Sequence, residues 1–294
     1  MKKIALLFVL AVAFFGCGNF GNKENKGPKD LRIVSVSKQL TEMVFALGKG
    51  YNIVARDLTS NYPDSAKLLP TVGYHRLLST EGIISMNPDI VIHSNDIGPE
   101  TVLPQLEKAG VKIKAFGGAN TYDSAKILLQ QLGEFLGVAG AADSIVKKMD
   151  AEMSAVYAAE KLLTDTPTVM IIQYGQANNN FFVMSGRKGP GDNMIALAGG
   201  KAARYDAKGS RQMNAEAVAE ANPDIIIATD YGFDKMGGAE KFKEVPGVAL
   251  TNAAKNNRIY RFEEHDLVYF GPRTAANVLK LMELFHPVTN AAKK

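Results

Sequence analysis

The 294-residue chain has a single cysteine, Cys17, and only four histidines. One cysteine excludes an intramolecular disulfide and a cluster held by several thiolates. No two histidines stand at the spacing that places two metal ligands on one helix. The sequence also lacks Gly-x-Ser-x-Gly, His-Glu-x-x-His and a phosphate-binding loop ending in Gly-Lys-Ser/Thr. These absences disfavour a zinc enzyme and the enzyme classes that those motifs mark.

The apolar run at the amino terminus is too short to cross a membrane. Lys2 and Lys3 precede apolar residues that end at Phe15, and small residues follow. A bilayer span takes about 20 apolar residues, whereas this order of basic, apolar and small residues is typical of a secretory signal. We therefore predict a signal peptide at residues 1–16.

Cys17 follows the predicted signal directly. The pattern resembles a bacterial lipobox, which implies that Cys17 is acylated and that the lipid holds the protein at a membrane. Residues 17–30, rich in Gly, Asn and Lys, would then form a flexible tether. A plain signal peptide with an incidental cysteine is the alternative.

Excess charge of one sign is also scarce. The formal net charge of +4 falls to +2 once Lys2 and Lys3 leave with the signal. No basic run stands out, so we expect no nucleic-acid partner. With 46% hydrophobic and 22% charged residues, the remainder is typical of a soluble globular chain that is long enough for two domains.

A long segment without helix breakers lies near the middle of the chain. From residue 141 to residue 163 there is no glycine or proline, and apolar residues recur near the 3.6-residue period of a helix. Upstream, Glu81 leads into Asn-Pro-Asp and an apolar run at 87–92. Downstream, Glu216 leads into the same phrase at 222–227, which is 135 residues later. We interpret the segment as one helix joining two similarly built lobes.

Alternation of strands and helices in both lobes predicts an α/β fold, with two Rossmann-like lobes and mainly parallel sheets. The predicted strands are 32–37, 52–56, 90–93, 111–116, 168–173, 225–228 and 258–262. The predicted division is an N-terminal lobe at 31–138, a linking helix at 139–165, a C-terminal lobe at 166–288 and a tail at 289–294. Ligands of open α/β sheets bind beyond the carboxyl ends of the strands. The loops expected at the cleft are therefore 37–38, 59–76, 94–98, 174–180, 229–232 and 263–273.

One of these loops contains Gly-Tyr-His-Arg at 73–76. Tyrosine is an established axial ligand of haem iron. In an extended segment Arg76 would share a face with Tyr74, while His75 would point the other way. A guanidinium close to the phenol would stabilise its ionised form. The alternative is that Tyr74 and Arg76 merely stack on a ligand.

Residues 31–287 resemble the periplasmic substrate-binding proteins of cobalamin, siderophore and haem importers. The segment 72–82 (VGYHRLLSTEG) is similar to the one that marks the haem-binding branch. This resemblance implies that Tyr74 is the axial ligand and that Arg76 supports it. It also implies that Arg273, in Phe-Gly-Pro-Arg-Thr, pairs with a haem propionate.

Some relatives place a histidine after the first strand of the second lobe, where it helps to hold a second haem. Here Tyr174 stands in that place, between Gln173 and Gly175. We expect Tyr174 to contact the ligand and leave the number of haems open. His265, in Glu-Glu-His-Asp, is expected to be a solvated loop residue.

The resemblance implies a function in transport. We expect a monomeric, non-enzymatic protein that captures haem in the periplasm, or at the extracytoplasmic membrane face, and delivers it to an ABC-importer permease dimer. The alternatives are an iron siderophore or cobalamin as the ligand of the same fold. A chelatase-like enzyme acting on tetrapyrroles is a further alternative, and both the signal sequence and the scarcity of histidine disfavour it.

Glu81 and Glu216 each open a short predicted helix before an Asn-Pro-Asp turn. A carboxylate in the first turn of a helix is favoured by the helix dipole, so capping is one interpretation. In the resembling importers, one glutamate on each lobe meets arginines of one permease subunit. By that resemblance Glu81 and Glu216 would dock the loaded protein on its transporter.

Overall fold

The computed structural model describes residues 31–175, 179–205 and 212–287. The strands of these residues are β1 Ile33–Ser35, β2 Ile53–Arg56, β3 Ile90–His93, β4 Lys112–Ala115, β5 Thr168–Gly175, β6 Asn180–Val183, β7 Lys201–Ala202, β8 Ile225–Thr229 and β9 Ile259–Phe262. The helices are α1 Lys38–Ala46, α2 Thr80–Ile84, α3 Val102–Lys108, α4 Tyr122–Phe135, α5 Ala139–Glu160, α6 Pro190–Leu197, α7 Ala215–Ala221, α8 Asp230–Met236, α9 Ala239–Phe242, α10 Asn252–Lys255, α11 Glu264–Val268 and α12 Thr274–Phe285.

The strands form two sheets, which confirms the α/β class. The first sheet has the order β2-β1-β3-β4, and every pair in it is parallel. The second has the order β6-β5-β8-β9, with β7 also paired to β5. Only β6 is antiparallel, so this sheet is mixed. The central strands β3 and β8 are buried along their whole length, which explains why their sequences are continuous apolar runs.

The repeated Asn-Pro-Asp phrase has the same structural role in both lobes. Asn87 and Asn222 have φ angles of +48° and +40°, in the left-handed region that asparagine tolerates. Asp89 accepts a hydrogen bond from the backbone N–H of Arg32 at 2.8 Å, just before β1. Asp224 accepts the equivalent bond from Thr168, at the start of β5, at 2.9 Å. The phrase therefore ties the turn before one central strand to the beginning of its neighbour.

The long helix α5 runs from Ala139 to Glu160 and packs against α4 on one side and α12 on the other. Its buried residues, Ala142, Met149, Met153 and Val156, join the apolar core of both lobes. The predicted helix is therefore present, although it ends five residues before the predicted boundary at 165. The exact lobe boundaries stay predictions.

Some short elements differ from the sequence-based expectation. The segments 229–232 and 263–273 are expected to be loops, but they contain the start of α8 and the whole of α11. Helices this short carry too little periodicity to be recognised. The predicted signal, Cys17, the tether and the tail lie outside the described residues. Within the described ranges, no helix combines the length and apolarity needed to span a bilayer.

Candidate functional site

The carboxyl ends of the two sheets approach each other, and polar contacts join the lobes there. Lys38, after β1, donates from Nζ to Oε1 of Glu264, after β9, at 3.0 Å. Gln39 donates from Nε2 to the carbonyl of Phe270 at 2.6 Å. These contacts join the lobes at the edge where open α/β sheets bind ligands.

Further contacts between the lobes centre on Glu42 in α1, which is almost fully buried. Its carboxylate accepts hydrogen bonds from Nε and Nη2 of Arg273 at 2.8 and 3.0 Å, and Nε2 of His265 also contacts it. Arg273 pairs in addition with Asp266. We call Glu42, His265, Asp266 and Arg273 the interlobe ion cluster. Burial raises the pKa of Glu42, but the hydrogen bonds from His265 and Arg273 outweigh it and hold that pKa below its ordinary value.

The interlobe ion cluster contains two residues for which the sequence led to expectations, Arg273 and His265. Arg273 already has two carboxylate partners, and its guanidinium carbon lies 3.6 Å from the centre of the Tyr62 ring. An acidic group of a ligand would have to compete with Glu42 for Arg273. The expectation that His265 is a solvated loop residue is wrong, because it lies in α11 with 15% of its side chain exposed.

Acid should loosen the interlobe ion cluster. A carboxyl whose pKa is lowered by folding stabilises the native state above its unfolded pKa, and this contribution is lost as the pH falls through the folded pKa. We expect the free energy of unfolding to decrease below the ordinary Glu pKa of 4.5. Urea unfolding between about pH 5 and pH 2 should show a shallower decrease for Glu42→Gln than for wild type. Glu134→Gln, an exposed change in α4, is the control; equal slopes for Glu42→Gln and wild type would contradict this prediction.

Residues 73–77, which we call the tyrosine turn, carry the predicted haem ligand. The N–H of Leu77 donates to the carbonyl of Tyr74 at 2.7 Å and closes a turn. Gly73 has a φ of +96°, which favours glycine, and its carbonyl accepts from the N–H of Leu58 at 2.7 Å. The segment is therefore a turn, so the alternation of side chains in an extended segment does not apply to Tyr74 and Arg76. The side chain of Tyr74 is half-buried.

His75 points inward beneath the tyrosine turn. It is 8% exposed, and its Nδ1 lies 3.3 Å from Oδ2 of Asp57, which is fully buried. Its Nε2 lies 3.4 Å from Oδ2 of Asp96. Burial lowers the pKa of His75, but the contacts with Asp57 and Asp96 outweigh it and raise that pKa to about 9. At neutral pH the ring is therefore a cation between two carboxylates, in contact with the Tyr74 ring at a centroid distance of 4.5 Å.

Arg76 points outward, with 61% of its side chain exposed. Its Nη2 lies 3.6 Å from Oδ2 of Asp96. Two neighbouring apolar residues are also exposed: Leu77 by 72% and Leu58 by 51%. A phenol, a guanidinium and exposed leucines on two adjoining loops suit a ligand with an apolar face and acidic groups. Sequence reasoning recognised Tyr74 and Arg76 but missed Asp57 and Asp96, which no local pattern marks.

The C-terminal lobe also presents a phenol beside a cation. Tyr174, in β5, accepts a hydrogen bond at its hydroxyl from Nζ of Lys235 at 2.9 Å. The same Nζ lies 4.5 Å from the centre of the Tyr174 ring. The ring of Phe181 packs edge-on against it at 4.9 Å. A Cβ at Gly232 would come within 2.7 Å of the Cβ of Tyr174, so glycine there allows α8 to approach β5 closely.

Glu81 and Glu216 occupy the same place in their helices and are exposed. Each is the second residue after the cap, and the caps are Ser79 and Asn214, whose side chains accept hydrogen bonds from backbone N–H groups. The hydroxyl of Ser79 also donates to Glu81 at 2.9 Å. The capping hydrogen bond in each lobe is therefore made by another residue than the glutamate.

A family profile described as Periplasmic binding protein matches residues 33–265. Among solved structures, the periplasmic haem-binding protein RhuT from Roseiflexus sp. RS-1 is similar, with a TM-score of 0.80 and 32% sequence identity. That match covers 87% of this chain and 98% of RhuT.

Two curated relatives match over nearly their whole length. An uncharacterized ABC transporter substrate-binding lipoprotein of Bacillus subtilis, YvrC, is 25% identical over 97% of this chain and 96% of its own. A vitamin B12-binding protein of Vibrio campbellii is 24% identical over 96% of this chain and 97% of its own. The second relative is named for vitamin B12 and RhuT for haem, whereas the name of YvrC gives no ligand.

Proposed function

Because the chain belongs to the periplasmic binding protein family, we propose that it captures haem in the cleft between its lobes and delivers it to an ABC importer. Members of this family are extracytoplasmic solute-binding proteins that serve ABC importers, and they are not enzymes. The chain is thus the substrate-binding component of such a system. The proposal of haem rests above all on the exposed turn that presents Tyr74.

The residues around Tyr74 fit haem chemically. A phenolate is an established axial donor for haem iron, and its formation is favoured by a nearby cation. Arg76, two residues further along the same turn, is an exposed cation, and Leu58 and Leu77 offer apolar surface for a porphyrin face. The 32% identity to a structure named as haem-binding supports the same ligand. Tyr174 on the opposite lobe would contact the ligand through its ring.

We further propose that Arg273 pairs with a haem propionate by exchanging Glu42 for the ligand carboxylate. The guanidinium keeps Asp266 as a second partner during this exchange. Such a pair contributes only when the ligand carries a free carboxylate. Arg273 would then be both a brace between the lobes and a ligand contact.

The test of this role is Arg273→Ala with two ligands. We expect this variant to lose about tenfold more affinity for hemin than for the porphyrin dimethyl ester, as measured by absorption titration. Glu42→Gln is the control for loss of the brace, because it disturbs the interlobe ion cluster but leaves the guanidinium. Equal losses for both ligands in Arg273→Ala would show that the arginine acts through packing alone.

Cobalamin is the second candidate ligand, favoured by the similarity to a vitamin B12-binding protein. A ferric siderophore is the third, and neither would need a bond from the phenolate to iron. The purified protein should therefore be mixed separately with hemin, cobalamin and a ferric siderophore, and its visible spectrum recorded. Haem binding predicts a shifted Soret band and saturation with hemin alone. Saturable binding of cobalamin or the siderophore, without a hemin complex, would overturn the haem proposal.

Delivery requires that the protein stay near its transporter. We propose that the chain is a monomer held at the membrane by a lipid on Cys17, as the name of the Bacillus subtilis relative supports. The partner would be a permease dimer, with each lobe facing one subunit. Glu81 and Glu216 would then make the charged contacts, one on each lobe.

A further inference from the structure

We propose that His75 is a positioning residue for haem capture, which holds Arg76 beside the ligating tyrosine through the shared carboxylate of Asp96. This inference rests on the proposed function, because it concerns how Tyr74 and Arg76 are presented to haem. His75 itself would touch neither the porphyrin nor the iron.

The tyrosine turn lies between two other loops at the carboxyl edge of the first sheet. On one side, the carbonyl of Gly73 accepts from the N–H of Leu58, after β2, at 2.7 Å. On the other side, the N–H of Gly98, after β3, donates to the carbonyl of His75 at 2.8 Å. The carbonyl of Gly98 in turn accepts from the N–H of Leu78 at 2.9 Å. Backbone hydrogen bonds therefore fix where the turn sits.

The His75 side chain joins the same two loops beneath the turn. Asp57 belongs to the loop after β2 and is a fixed anchor, because it is fully buried and also accepts from the N–H of Thr59 at 3.0 Å and from the hydroxyl of Ser60. Asp96 belongs to the loop after β3 and is more exposed. His75 therefore connects a fully buried carboxylate to a partly exposed one.

Asp96 also contacts Arg76 and so connects Arg76 to His75. Its Oδ2 lies 3.4 Å from Nε2 of His75 and 3.6 Å from Nη2 of Arg76. An exposed arginine loses much rotamer freedom when it is held in one place, so a fixed counter-ion is needed to keep it there. Without His75, Asp96 would still accept a hydrogen bond at 3.2 Å from the hydroxyl of Ser94, which lies two residues earlier in the same loop. The guanidinium of Arg76 would then spend less time beside Tyr74.

His75 is not available as an iron ligand in this arrangement. Both of its ring nitrogens face carboxylates, and the ring is 8% exposed. A cavity of about 10 Å³, bordered by Lys38, His75 and Tyr269 among others, lies beside it. That volume holds about one water molecule. The contribution of His75 must therefore be exerted through its neighbours.

Two substitutions separate the two contacts of His75. His75→Asn keeps an N–H donor near the position of Nδ1 and loses the contact with Asp96, whereas His75→Gln can reach Asp96 from the position of Nε2. We expect His75→Asn to bind hemin 10-fold to 100-fold more weakly, the usual range for lost outer-shell partners, and to change the charge-transfer bands of the ferric complex. His75→Gln should restore most of the wild-type affinity and spectrum. Asp96→Asn, at a partly exposed site that tolerates a neutral side chain, should reproduce the His75→Asn spectrum.

A double variant with Arg76→Ala tests whether His75 acts through Arg76. If His75 acts through Arg76, adding His75→Asn to Arg76→Ala should cause no further loss of affinity, since the two residues belong to one chain of contacts. The matched control is His286→Asn, since His286 is also a histidine paired with an aspartate, Asp165, at 2.7 Å, with only 9% of its side chain exposed. It should lower the melting temperature without changing the haem spectrum.

The outcomes distinguish this inference from the proposed function. If wild type fails to bind hemin, both are overturned. If wild type and His75→Asn give the same affinity and the same ferric spectrum, only the positioning role is overturned. Fully additive losses in the double variant with Arg76→Ala would also overturn it.

Discussion

Tyr74→Phe is expected to weaken hemin binding by roughly 100-fold, which corresponds to about 2.8 kcal/mol. The substitution keeps the ring and its packing against His75 but removes the hydroxyl oxygen, which is the atom of this side chain that can bind iron. The charge-transfer bands of the ferric complex should disappear or shift, because they report the bond from the phenolate to iron. Absorption titration and the electron paramagnetic resonance spectrum of the ferric complex measure both effects.

The control for this experiment is Tyr51→Phe, at an exposed tyrosine of the same lobe. It should leave affinity and spectrum unchanged. Tyr174→Phe, which removes the hydroxyl that Lys235 binds, should alter affinity less than Tyr74→Phe does. Wild-type spectra in Tyr74→Phe would reject Tyr74 as the ligand, and a larger effect of Tyr174→Phe would move the iron to the C-terminal lobe.

Replacing both Glu81 and Glu216 with alanine is expected to abolish transport while haem binding stays intact. Both carboxylates are exposed, and their helix caps are made by other side chains. Charged pairs across an interface chiefly set orientation and the rate of association. Haem uptake by vesicles that contain the permease and its ATPase should therefore stop, while hemin affinity is unchanged.

The control must remove the same amount of charge elsewhere. Glu134→Ala with Glu160→Ala does so at exposed positions in α4 and α5. That variant should transport haem normally. If the Glu81 and Glu216 variant also transports normally, and its melting temperature falls, the glutamates serve only the helix dipole, an effect of roughly 0.3–1 kcal/mol each.

The main elements of the fold could be predicted from the residues alone. The mainly apolar runs at 90–93 and 225–228 predicted β3 and β8 almost to the residue, because a strand buried on both faces is apolar along most of its length. The repeated Asn-Pro-Asp phrase indicated two similar lobes because it forms the same local structure in both. In each lobe a left-handed asparagine is followed by an aspartate that accepts a hydrogen bond from the backbone beside the neighbouring strand. The edge strand β6 and the short helix α11 carry no comparable pattern. Each buries too few of its residues to produce a recognisable apolar run or period.

In the candidate site, too, some residues could be proposed from the sequence and others could not. Tyr74 and Arg76 could be found from the sequence because they are close in the chain and their side chains carry a recognisable chemistry. Their supports could not: Asp57 lies 18 residues from His75, and Glu42 lies 231 residues from Arg273. The first contact depends on how the loops of one sheet meet, and the second on how the two sheets bring their carboxyl ends together. The positions of His75 between two carboxylates and of Arg273 between the lobes are therefore visible only in the three-dimensional arrangement of the chain.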